Sequence, residues 1–161
     1  MLRCLLLLLA ALPLLSGATC VWTGAVDSNW NTAGNWTGGV PGNTDTADLS
    51  AGGTITVDVA KQVGQLTGTL TADLIIANAG FALTLNNATS ITGLNTATAN
   101  TATINCSITM GTAATHTWDG TADITLAGGM TGNKALVWSG TSTLSVTSSI
   151  TVTSTTINGG V

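Results

Sequence analysis

Glutamate and tyrosine are missing from this 161-residue chain, phenylalanine and histidine occur once each, and proline occurs twice. Charged residues amount to 6 %, against about a quarter in an average globular domain. Without Glu and with three Lys plus Arg in all, surface helices laced with ion pairs cannot be built, which excludes an ordinary helical or α/β domain. The net charge of −4, with two lysines as the only cations beyond Arg3, removes the basic footprint that nucleic-acid binding requires. No proline follows Pro41. What is abundant instead is Thr, about a fifth of the chain, together with Asn and 20 Gly. That mixture favours pleated strands joined by tight turns.

One long apolar run is present. Met1-Leu2-Arg3 is a short positive start, and Cys4 to Leu15 is apolar apart from Pro13 before Ser16-Gly17-Ala18. At about a dozen residues the run is too short for a bilayer, which needs about 20. Residues 1–18 therefore read as a secretory signal peptide cut before Thr19, with no membrane span. A lipoprotein cut at Cys20 is the competing reading, with Thr19 standing where a smaller residue is expected. Export would leave Cys20 and Cys106 in an oxidising compartment. Cys106 alternates with Ile104, Ile108 and Met110 on one face, so two unpaired thiols, Cys106 as a buried small hydrophobe, are expected.

Residues 19–51 form a Trp-rich segment. Trp22, Trp30 and Trp36 lie among Asn, Gly and Asp with turn chemistry every few positions. Each indole can bury about 150–250 Å², so these three residues are assigned to packing an N-terminal cap. From Gly52 the pattern becomes short period-2 strands: Ile55/Val57/Val59, Leu83/Leu85, Ile104 to Met110, Ile124/Leu126, Leu144/Val146 and Ile150/Val152. Asn78-Ala79-Gly80, Asn86-Asn87, Asp119-Gly120, Gly128-Gly129, Gly132-Asn133 and Ser139-Gly140 punctuate them. Low charge suits a solenoid, because stacked coils place like residues above one another. Residues 52–161 are thus expected to make about five coils of about 20–25 residues. The pattern runs out in mid-repeat at Asn158-Gly159-Gly160-Val161, the expected mark of a parent truncated at its C-terminus.

The stretch Asn133-Lys134-Ala135-Leu136-Val137-Trp138-Ser139-Gly140-Thr141-Ser142-Thr143-Leu144-Ser145-Val146, continuing to Thr155-Thr156-Ile157-Asn158-Gly159-Gly160, resembles the autotransporter-associated β-strand repeat of bacterial surface proteins. Trp138 stands where that family often has Lys, and Ser142 replaces a common Gly. The Trp-rich opening resembles the head segment of many such proteins. The resemblance implies an all-β, right-handed parallel β-helix (β-solenoid) with a Trp-rich N-terminal cap, exported to the cell surface or secreted. It implies no catalytic residues and no cofactor.

Candidate chemistry is sparse. His116 has no second His or Glu nearby for zinc, and no nucleophile elbow accompanies a Ser-His-Asp set built on Asp119 or Asp123. Asp45/Asp48 and Asp119/Asp123 are the close carboxylate pairs, and both fall in turns, where Asp is a standard turn former. Trp118 and Trp138 are the candidates for ligand contact, through stacking on sugar rings. The function expected is an exported, non-catalytic surface β-solenoid, adhesin-like or a stalk or passenger fragment, with surface glycans or host molecules as partners. The competing class is a carbohydrate-binding or polysaccharide-degrading module on the same fold.

Overall fold

The computed structural model describes residues 17–96 and 99–159. Residues 1–16 of the expected signal peptide lie outside them. The chain is almost entirely β, with one turn of 3₁₀ helix at Ala33–Asn35 as the exception among the described residues. It winds as a parallel β-solenoid whose three sheets run along the stack.

The first sheet stacks Thr46–Asp48, Gln65–Leu70, Thr89–Thr96, Thr115–Trp118, Ala135–Trp138 and Ser154–Ile157. Gly53–Val57, Leu74–Asn78, Thr101–Ile104, Asp123–Leu126 and Leu144–Val146 form the second. Lys61–Val63, Leu83–Leu85, Ile108–Met110 and Met130–Thr131 form the third. Every one of these pairings is parallel. One strand from each sheet makes a coil, and the chain returns to the same sheet after about 19 to 27 residues.

Period-2 alternation decides which side chains enter the interior. Register places Cys20, Ala47, Leu66, Ile91, Trp118, Trp138 and Ile157 in one inward column. Ile55, Ile76, Ile104, Leu126 and Val146 form a second. Leu83, Ile108 and Met130 form a third, extended by a bridge from Met130 to Ile150. Each enclosed Leu, Ile or Val contributes about 1.5–3 kcal/mol relative to exposure, so the columns make one continuous apolar core. Between them the outward positions carry Thr103, Thr125 and Ser145 in register, small hydroxyl side chains that stack without charge repulsion.

The corners need residues without side chains. At Gly120, φ is +140°, and a Cβ would strike the Leu94 carbonyl of the coil below. At Gly68, φ is +145° and a Cβ would stand 2.7 Å from the Ser50 amide nitrogen. Coil spacing of about 4.8 Å leaves no room for either.

Several features depart from the sequence pattern. Ile150/Val152 form no strand, Ile150 making only an isolated bridge to Met130, and Val59 lies beyond the end of Gly53–Val57. The alternation from Ile104 to Met110 is not one strand: Thr101–Ile104 belongs to the second sheet and Ile108–Met110 to the third, with a corner at residues 105–107. Cys106 stays buried because the corner residue still points inward, and both it and Cys20 are free thiols. In addition, the stacked first sheet takes in Thr46–Asp48 and Thr19–Trp22 from the Trp-rich segment, these two strands pairing in parallel. Trp36–Thr37 then pairs antiparallel with Thr19–Trp22 and forms the last strand at that edge.

Candidate functional site

The Trp-rich segment folds over the start of the stack. Trp22, Trp30 and Trp36 are all buried. The Trp22 and Trp36 rings meet edge to face with centroids 5.0 Å apart, and Trp30 lies 4.9 Å from Trp36, both within the favourable range for aromatic pairs. The Trp36 indole N–H donates to the Trp30 carbonyl at 2.7 Å, whereas the Trp30 indole nitrogen is enclosed without a partner.

Asn35 is the polar hub of this cap and is wholly buried. Its Oδ1 accepts the Val26 and Asp27 amides at 2.9 and 3.1 Å, and its Nδ2 donates to Asp27 Oδ1 at 2.7 Å and to the Asn29 carbonyl at 2.9 Å. All four hydrogen-bonding sites of the amide are thereby used. Asp27 also accepts the Asn29 amide and the Thr32 hydroxyl. Those donors, the Asn29 amide first and Asn35 next, hold its carboxyl below the ordinary value of 3.8.

Between the cap and the first coil lies a polar groove of about 310 Å³, lined by Trp22, Thr23, Gly24, Asp27, Ser28 and residues 51–54. A bridge from Asn29 to Thr56 closes one end, with the Thr56 amide donating to Ser28 and the Trp30 amide to Thr56. A second hollow, of about 170 Å³, opens at the far end of the stack. It is apolar and lined by residues that include Leu136, Trp138, Leu144, Val146, Ile150 and Ile157.

The carboxylates singled out in the sequence as close pairs are all committed to the backbone. Asp45 accepts the Ala18 and Gly42 amides, each at 2.8 Å, and Asp48 accepts the Ser50 amide at 3.0 Å. Asp119 accepts the Gly93 amide and Asp123 the Thr143 amide. Asp58 and Asp73 do the same for Asn31 and Thr101. Each of the seven Asp side chains therefore binds a backbone amide, within a local turn or across to a neighbouring coil; Asp45 and Asp119 lie outside strands, whereas Asp48 and Asp123, expected in turns, stand at the end of Thr46–Asp48 and the start of Asp123–Leu126. No group of three His, Cys or Asp able to hold a metal ion is found among the described residues.

Trp118 and Trp138 occupy the inward column and are 0 and 2 % exposed, so neither presents a ring face on the outer surface for a sugar to stack on. Burial of large apolar rings inside the column is the physical reason. The Trp118 indole donates to Ser90 Oγ at 3.0 Å. His116 lies two positions before Trp118 in the strand Thr115–Trp118, shares its inward face and is inaccessible to solvent. Neither ring nitrogen is in hydrogen-bonding geometry with a partner. Burial pushes its pKa below 6.5; the Ala113 backbone opposes that shift and the Lys134 charge adds to it. The Cys106 thiol is pushed up to about 11 by burial, which makes it a poor nucleophile.

No protein-family model, curated protein or solved structure matches the chain. The groove and the Asn35 hub are not legible in the sequence. Their only signal is the density of Asn, Gly and Asp between Trp22 and Trp36, which reads equally well as turns.

Proposed function

We propose that the chain is an exported, non-catalytic β-solenoid of the bacterial surface, a stalk or passenger-type segment that displays a repetitive hydroxyl-rich face. The observation that carries this reading is the commitment of every aspartate to backbone amides. Cleavage of a polysaccharide requires two carboxyl groups facing one cleft at about 5–10 Å and free to exchange protons, and His116 is walled into the core. The side chains that face outward along the sheets are mainly Thr and Ser, suited to spacing and weak multivalent contact rather than to bond making. The apolar run at residues 4–15 supports export. No helix among the described residues is long and apolar enough to cross a membrane.

The test is expression of the full chain in a Gram-negative host, followed by fractionation and N-terminal mass analysis. The reading expects a product outside the cytoplasm that begins at Thr19. A cytoplasmic product retaining residues 1–18 would overturn it.

A further inference from the structure

We propose that the groove between the Trp-rich cap and the first coil is a binding subsite for one neutral sugar residue, gripped by the Trp22 indole N–H and the free backbone edge at Thr54. The inference does not rest on export, because it concerns the folded chain wherever it resides.

Trp22 is 3 % exposed, yet its indole nitrogen has no hydrogen-bond partner among the described residues and, unlike that of Trp30, is not sealed from solvent. It stands at the groove wall, 3.4 Å from the point a Cβ on Gly24 would occupy. A donor held in this way by a buried ring is fixed in direction, and it lacks a bond that a ligand can supply.

The opposite wall is an open strand edge. The Gly53 amide donates to the Asp73 carbonyl at the start of the neighbouring strand at 2.7 Å, while the Thr56 amide donates the other way, to Ser28 in the cap, also at 2.7 Å. Parallel pairing alternates these directions residue by residue. Thr54 therefore turns its N–H and C=O toward the cap, into the groove it lines. Its side chain is exposed, and its hydroxyl has no partner among the described residues. Gly24, Gly52 and Gly53 adopt φ of +56°, +66° and +82°, so the groove is bounded by backbone where side chains would fill it.

The chemistry selects the ligand. Two fixed N–H donors, one carbonyl acceptor and one hydroxyl, set around a space of about 310 Å³, match vicinal hydroxyl groups, each of which both donates and accepts. Asp27 lines the same space, and its negative charge repels anions. Its oxygens are already occupied by Asn29, Thr32 and Asn35, so it cannot bind a cation in their place. An added peptide strand is disfavoured by length: the Asn29–Thr56 bridge closes one side and the turn at Gly52 the other, leaving a single residue of open edge.

The indole N–H resonances of the purified full chain give a direct test. The chain has 5 tryptophans, and Trp22→Phe assigns the Trp22 signal while retaining an aromatic ring. Methyl glycosides of neutral hexoses and N-acetylhexosamines, added at millimolar concentration, are expected to move the Trp22 signal. Trp22→Phe and Thr54→Val are each expected to weaken binding about tenfold. Should Trp22→Phe fail to fold, the exposed Thr54→Val carries the test. Gly24→Asn, which tolerates a positive φ and covers the indole edge, is expected to abolish binding. The proposal is overturned if no neutral sugar moves the Trp22 signal, if sugars move other indole signals instead, or if an extended peptide moves it and sugars do not.

Discussion

The two ends of the solenoid differ sharply. At the N-terminal end, Trp22 and Trp30, each packed on the ring of Trp36, and a fully bonded Asn35 cover the first coil, and the edge of the first sheet finishes in a two-residue antiparallel strand, Trp36–Thr37. At the other end, all four residues of Ser154–Ile157 are exposed, with Ile157 at 69 % and Val146 at 40 %. The same inward columns run to both ends. What differs, among the described residues, is whether anything lies over the last member. A parallel edge is a template for the next parallel strand, and reversing the strand direction for two residues removes that template while the tryptophans shield the column. Stability in a stack of this kind is carried by contacts between neighbouring coils, so an interior or capped residue should matter far more than its equivalent in the uncovered coil.

The largest expected effect is at Trp30. Replacing this wholly buried indole by Ala should cost about 3–5 kcal/mol, read as a lowered urea midpoint. Ile157→Ala, in the open coil, should fall within about 0.5 kcal/mol of the parent. Equal losses at the two sites would mean that the cap shields the column no better than solvent does.

Next is Asn35→Ala, which strands the Val26 and Asp27 amides and the Asn29 carbonyl that the side chain now satisfies. A loss of about 1–3 kcal/mol is expected, with faster hydrogen exchange in residues 22–37 than in the coils.

Acid should act on the middle of the stack. His116 has its pKa lowered by burial, so the unfolded chain binds the proton more readily. Stability is then fully present above the ordinary value of 6.5 and is lost as pH falls below it toward the folded value. Denaturation midpoints at neutral and mildly acidic pH should show this fall in the parent. His116→Leu should flatten it, and an unchanged slope in that variant would contradict the assignment.

The smallest expected change in stability is for Ile157→Lys at the open end, again within about 0.5 kcal/mol. Its visible effect should be on association: light scattering should report less self-association than in the parent, because a charge then interrupts the exposed apolar column.

The stacked architecture is legible in the sequence because inward aliphatics alternate with Thr on nearly every strand, a pattern that survives without knowledge of the partners. The corner at residues 105–107 is not legible, since alternation passes straight through it: Ile104, Cys106 and Ile108 all point inward although the chain changes sheet. Thr89–Thr96 is hidden for another reason. Its register slips against both neighbours, and Gly93 interrupts the apolar spacing. Burial of Trp118 and Trp138 follows from column membership, which a single strand read in isolation does not reveal. The groove leaves no trace in the sequence because it is built from a backbone edge and glycines, and neither makes a motif.

Parallel, in-register stacking of successive coils leaves its signature in proton contacts across the second sheet. Thr103 should show interstrand amide-to-α-proton contacts with the strands containing both Ile75 and Thr125, in the staggered pattern of parallel neighbours. Strong α-to-α-proton contacts between facing residues, the mark of antiparallel strands doubling back, would contradict it.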